Sequence, residues 1–188
     1  MTSIVSRETD LLVLVDHDDQ ALGLRDKRSC HEGQGVLHRA ISAFLFDSQG
    51  RVLVQRRHVE KPLWGGCWSN SCCTHPFFGE EPIDAAKRRV SEELGLDVEL
   101  EFIYKFEYHA EWSPEYSEHE LCSVFVGYVN TDPKVNESEI QAWRWESPEV
   151  LDEVIADDVS DYTPWLKLEW AELRNRGYPK RKLENSRI

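Results

Sequence analysis

The strongest constraint on the fold is a helix whose two ends are marked by its own residues. Residues 82–94 run from Pro82 to Leu94 and are followed by Gly95. Proline suits a first helical turn, where its missing N–H costs nothing. Glycine suits the position just past the end, where the backbone turns left-handed. Ile83, Ala86, Val90 and Leu94 recur every three or four residues, so one face is predicted to be buried. Arg89 and Glu93, four residues apart, are neighbours on the helix surface.

A half-buried helix needs a sheet to cover. Residues 11–16 read as a short strand. Residues 40–46 and 51–57 read as a hairpin, because apolar β-formers flank a turn that closes on Gly50. Pro62 and the pair Gly65-Gly66 mark a loop. Strands are predicted over 99–108, 121–129 and 140–145, and helices over 148–155 and 165–176. This mixed order predicts an α/β (α+β) fold layered around one sheet. At 188 residues the chain is most simply one domain, with a core over about 10–170 and a basic tail over about 177–188.

Composition removes several functions. A formal charge of −13 argues against nucleic-acid binding, because the phosphate backbone would be repelled. A small anionic substrate stays possible, since basic residues can be concentrated locally. No apolar run reaches membrane-spanning length, so no membrane insertion is expected. No basic stretch followed by an apolar one opens the chain, so a cytoplasmic location is expected. Five cysteines, an odd number at irregular spacing, do not make a disulfide framework or a paired zinc knuckle.

The chemistry-bearing residues fall in a few places. His31 and His38 precede the hairpin, His75 follows the cysteine pair, and Glu118 and Glu120 flank His119. In an extended segment Glu118 and Glu120 share a face. Three imidazoles and two carboxylates make a five-ligand divalent site, with donors that suit zinc or manganese alike. His17, His58, His109 and His119 read as surface or loop residues. Cys72 and Cys73 are adjacent, so only one faces a given site; sharing a face with His75 selects Cys73. A metal or basic group nearby would favour its thiolate. Cys30, Cys67 and Cys122 read as structural. Glu93 could carry Mg²⁺ together with substrate phosphates. Spacing alone leaves that reading level with a solvated helix face.

Together these residues form a recognisable pattern. Residues 88–96 resemble the second half of the Nudix box, R-E-U-x-E-E-x-G-U, where U is aliphatic. Arg89 stands where the box has a glutamate, Thr74 where it has its opening glycine, and Glu80 falls on its early glutamate. Over roughly residues 10–170 the chain resembles one branch of that superfamily, the type I isopentenyl-diphosphate isomerases. Four segments carry the resemblance: Trp68 through Pro76, the pair His31 and His38, Glu118-His119-Glu120, and Tyr162-Thr163-Pro164-Trp165.

The resemblance implies a Nudix-like mixed sheet sandwiched between helices. It implies interconversion of isopentenyl and dimethylallyl diphosphate by a 1,3 proton shift, which would supply isoprenoid biosynthesis. Cys73 and Glu120 would be the acid–base pair on opposite faces of the substrate, with Tyr108 assisting Glu120. Trp165 would present its π face to the developing cation. Trp64, Trp68 and Trp165 are expected walls that exclude water. Lys27, Arg57, Lys61 and Arg89 would bind the diphosphate, with Arg28 and Arg56 as open alternatives. His31, His38, His75, Glu118 and Glu120 would hold Mn²⁺ or Zn²⁺. Glu93 and the backbone carbonyl of Cys73 would hold Mg²⁺. Two other functions compete: a Nudix hydrolase of nucleoside diphosphate derivatives, and a non-catalytic metal-binding or metabolite-sensing module.

Overall fold

A computed structural model describes residues 4–157 and 161–180. The strands are β1 (Leu11–Val15), β2 (Ala21–Asp26), β3 (His38–Phe46), β4 (Val52–Arg57), β5 (Trp68–Ser69), β6 (Cys72–Thr74), β7 (Leu100–Ser113), β8 (Tyr116–Tyr128) and β9 (Ile140–Glu146). The helices are α1 (Lys27–His31), α2 (Pro82–Leu94), α3 (Pro148–Ala156) and α4 (Pro164–Asn175). Hydrogen bonds join all nine strands into one mixed sheet. The part of the basic tail beyond Lys180 lies outside the described residues.

Helix α2 has the predicted bounds. Gly95 takes φ +62°, and its N–H closes the last turn onto the Ser91 carbonyl. Ala86, Val90 and Leu94 are fully buried against the sheet with Ile41, Leu45 and Phe125, while Ile83 packs at the margin. Burying each Val or Leu contributes roughly 1.5–3 kcal/mol. On the other sheet face, Leu166 and Trp170 of α4 and Leu151 of α3 pack on Phe44, Phe46 and Val124. Helices therefore cover both faces. Among the described residues no helix is long and apolar enough to cross a membrane.

The predicted hairpin closes at its turn but does not pair along its arms. Strands β3 and β4 pair only at Phe46 and Val52, then part. Ser71 bridges the parted arms: its hydroxyl accepts from the Leu45 N–H at 2.8 Å and donates to the Leu53 carbonyl at 2.6 Å. One buried hydroxyl thus replaces the ladder bonds between the two arms. Strand β6 enters the gap and pairs Ile41, Ser42 and Ala43 with Thr74, Cys73 and Cys72. The other edge of β3 runs parallel to β8 along its whole length, from His38–Glu120 to Phe46–Tyr128. Strand β4 turns away to pair with β9.

Strands β7 and β8 form one long hairpin, extending the predicted 99–108 and 121–129 towards each other. The extension carries charged residues on alternating positions, so apolar periodicity stops before the strand does. Strand β2 was not predicted: it is a short edge strand that is exposed on both faces, Leu22 and Leu24 included. Helix α1 is too short to show a helical period. Asp26 caps it by accepting from the Ser29 N–H at 3.0 Å.

Candidate active site

Three elements bring the imidazoles together. His31 ends α1, His38 begins β3 and His75 follows β6. Glu118 and Glu120 come from β8 on the same face. Ligand atoms of His31, His38, His75 and Glu118 all lie within 4.8 Å of one another. His75 Nε2 is 3.1 Å from Glu120 Oε1 and 3.2 Å from His38 Nε2. All five residues predicted for the divalent site are therefore gathered.

The geometry suits a cation. The Val36 carbonyl, 2.7 Å away, can only accept, so His38 Nδ1 carries the proton and Nε2 turns a lone pair inward. Burial lowers the His38 pKa to about 4 and pushes that of His75 well down, so both rings are neutral. His31 Nε2 and Glu118 Oε2 are buried 2.9 Å apart without hydrogen-bond geometry. Facing nitrogen lone pairs and orphaned buried acceptors fit a divalent cation, as metal-ligating histidines do elsewhere.

Cys73 sits beside this cluster and Cys72 does not. Cys72 is buried in the core under α2, whereas Cys73 lines a cavity of about 350 Å³. Burial pushes the Cys73 thiol up to about 12, so it keeps its proton at neutral pH. Burial outweighs the nearby Arg57 charge, which alone would favour the thiolate. Tyr108, Glu120 and Trp165 line the same cavity. Tyr108 donates to Glu120 Oε2 at 2.6 Å. Burial and then the Glu118 charge hold Glu120 above the usual carboxylate range, while burial on Glu118 is outweighed by His31.

Lys27, Arg57, Lys61 and Arg89 line the same cavity. Of the neighbouring pairs, Lys27 and Arg57 line the cavity and Arg28 and Arg56 do not. Arg56 is exposed and donates to the Gly66 carbonyl at 2.7 Å, and exposed Arg28 pairs with Glu32 at 3.6 Å. Arg57 also lies 5.3 Å from the Trp165 ring. Trp64 stands behind Trp165, edge to face at 5.2 Å. Trp68 is no wall of this cavity: it packs on the far cluster under Arg144. Glu93 is buried, with Oε1 held by Arg89 at 2.8 Å and Oε2 facing the weak donor Cys72 at 3.8 Å.

Two buried acids here escaped the sequence reading. Glu139 lines the cavity, and its Oε2 accepts from both Lys61 and Arg89. Burial opposes its charge, yet Lys61 holds the carboxyl below its usual range. Glu169 of α4 is fully buried, and burial raises it to about 8, so it is neutral. Glu139 falls at the start of a strand in no motif. Glu169 sits on the apolar face of α4, and a charged residue on that face was the one available signal.

Residues 36–168 match the NUDIX domain family. An isopentenyl-diphosphate Delta-isomerase of Serratia proteamaculans is 40% identical over 157 residues, covering 84% of this chain and 87% of its own. Isopentenyl-diphosphate Delta-isomerase 1 of Photorhabdus laumondii is 39% identical over 171 residues, covering 90% and 97%. Among solved structures, DR0079 from Deinococcus radiodurans superposes with a TM-score of 0.70 at 24% identity, covering 90% of this chain and 99% of that one. The MutT protein of Methanosarcina mazei has a TM-score of 0.62 at 18% identity, covering 76% and 96%. At these identities the two structures speak for the fold alone.

Proposed function

The chain belongs to the isopentenyl-diphosphate Delta-isomerase family within the NUDIX fold, and on that premise we propose that it interconverts isopentenyl and dimethylallyl diphosphate. One observation carries the site assignment. Cys73 and the Tyr108–Glu120 pair face a single cavity that Lys27, Arg57, Lys61 and Arg89 also line.

The four cations hold the diphosphate and fix the hydrocarbon between the two acid–base groups. One group delivers a proton to one end of the allylic unit and the other removes a proton from the far end. Reversing the reaction exchanges their roles. Tyr108 steadies Glu120 through its hydrogen bond. The Trp165 ring faces the developing cation, worth on the order of 0.5–2 kcal/mol. Trp64 backs that ring and keeps water out, since water would trap the cation.

His31, His38, His75, Glu118 and Glu120 would hold Mn²⁺ or Zn²⁺, which supplies a fixed positive charge beside Glu120. Glu93 and the Cys73 carbonyl would hold Mg²⁺, which neutralises diphosphate charge. The weak contact at Glu93 Oε2 is compatible with that second role. The hydrolase reading is disfavoured by Arg89, which stands where the Nudix box has a glutamate, so one carboxylate of the hydrolytic set is replaced by a cation.

The test is proton NMR of the protein with isopentenyl diphosphate and Mg²⁺ in deuterated water. Dimethylallyl diphosphate carrying deuterium, without released phosphate, is expected, and Cys73→Ala should abolish it. Release of phosphate, undiminished in Cys73→Ala, would replace this function with hydrolysis.

A further inference from the structure

Asn70 lies in the loop between β5 and β6 and is fully buried. Its side-chain amide is completely committed. Nδ2 donates to the Ala43 carbonyl at 3.2 Å and to the Cys72 carbonyl at 3.0 Å. Two carbonyls can only accept, so the amide cannot be flipped and Oδ1 must face the other way. There it meets three donors: the Cys73 thiol at 2.9 Å, the Ser69 hydroxyl at 2.9 Å and the Trp165 indole N–H at 3.2 Å.

From this arrangement we infer that Asn70 is a positioning residue, whose single oxygen holds the Cys73 sulfur and the Trp165 ring in a fixed relation. The inference rests on the isomerase reading, in which sulfur and indole act on one substrate. The two groups come from distant parts of the chain, β6 and α4, and Asn70 Oδ1 is an acceptor they share. An amide oxygen has two lone pairs, so three donors oversubscribe it. The thiol is the weakest donor of the three and is the one most easily released towards substrate. When it turns away, the indole and the Ser69 hydroxyl still satisfy the oxygen, so no buried acceptor is orphaned. Trp165 is doubly secured, because its N–H also reaches Ser69 Oγ at 3.0 Å.

The alternative is that Asn70 merely satisfies two backbone carbonyls. Steady-state kinetics and thermal melts of Asn70→Ala, Asn70→Asp, Trp165→Phe and the Asn70→Ala/Trp165→Phe pair separate the two. Asn70→Ala should lower kcat by roughly 10- to 100-fold, with KM within about twofold, as two lost hydrogen bonds predict. Phenylalanine keeps a ring at 165 but deletes its N–H. The loss caused by Asn70→Ala should therefore shrink at least about threefold in the Trp165→Phe background. Asn70→Asp, buried against carbonyls, takes up a proton, donates to one of the two carbonyls and keeps the acceptor oxygen, so it should retain more kcat than Asn70→Ala. That variant also keeps the test open if Asn70→Ala fails to melt cooperatively. Unchanged kcat in Asn70→Ala, equal losses in both backgrounds, or an Asn70→Asp no better than Asn70→Ala would overturn the inference. If Cys73→Ala itself keeps isomerase activity, the underlying function fails instead.

Discussion

Tyr108 and Glu120 are direct partners across the β7–β8 ladder, and the Tyr108 hydroxyl donates to Glu120 Oε2 at 2.6 Å. Both side chains are buried in the cavity wall. Strand pairing, not a flexible loop, therefore sets the position of this carboxyl in the cavity wall.

Removing that donor should act on the chemical step. Hydrogen bonds to charged groups are worth about 1.5–3 kcal/mol, so Tyr108→Phe should lower kcat by roughly 10- to 100-fold. KM should change little, because the Tyr108 hydroxyl is committed to Glu120. Steady-state isomerisation rates decide it; an unchanged kcat would leave the pair a structural contact.

Glu139 should control diphosphate affinity without touching the reacting carbons. Its carboxyl holds Lys61 and Arg89 together. In Glu139→Gln the two cations lose their common anchor and repel one another. KM for isopentenyl diphosphate should rise roughly tenfold, the equivalent of one charge-assisted hydrogen bond. A KM equal to that of the unchanged protein would show that the cations hold their places without it.

Acid should destabilise the metal-free protein through His38. Its folded pKa is about 4 against an ordinary 6.5, so between those values the unfolded chain binds the extra proton. Stability is complete above about pH 6.5 and falls as the pH drops towards 4, by on the order of 3 kcal/mol for this ring. His75, also pushed down, acts in the same direction. His31 acts against it, because Glu118 outweighs burial there and holds its pKa up. Urea midpoints from pH 7 to pH 4 should fall, and less steeply in His38→Gln. A flat profile would mean that His38 charges as easily folded as unfolded.

Ser71→Ala should weaken the sheet itself. It strands the buried Leu45 N–H and Leu53 carbonyl that the hydroxyl joins. Unsatisfied buried groups cost about 1–3 kcal/mol each. A shift of the chemical-denaturation midpoint of that order is expected, whereas an unaltered midpoint would imply that the two arms re-pair directly.

Local pattern was enough for much of this protein. Pro82, Gly95 and the apolar spacing between them determine α2, because capping and amphipathicity act within a few residues. Alternation along an extended chain likewise sets Cys73 beside His75 and Glu118 beside Glu120. The grouping of His31, His38 and His75 rested on residue type and family resemblance, since nothing local links those positions.

Tertiary structure decided the rest. Arg56 and Arg57 are indistinguishable in sequence, as are Lys27 and Arg28; strand and helix orientation alone send Arg57 and Lys27 into the cavity. Glu139 carries no local signal, because its partners Lys61 and Arg89 arrive from elements up to 78 residues away. Ser71 bridges the parted β3 and β4 by reaching both strands at once. Periodicity reports which face of an element is buried. Which polar groups meet across that face is a property of the packed sheet, where long-range pairing brings their charges and hydrogen bonds together.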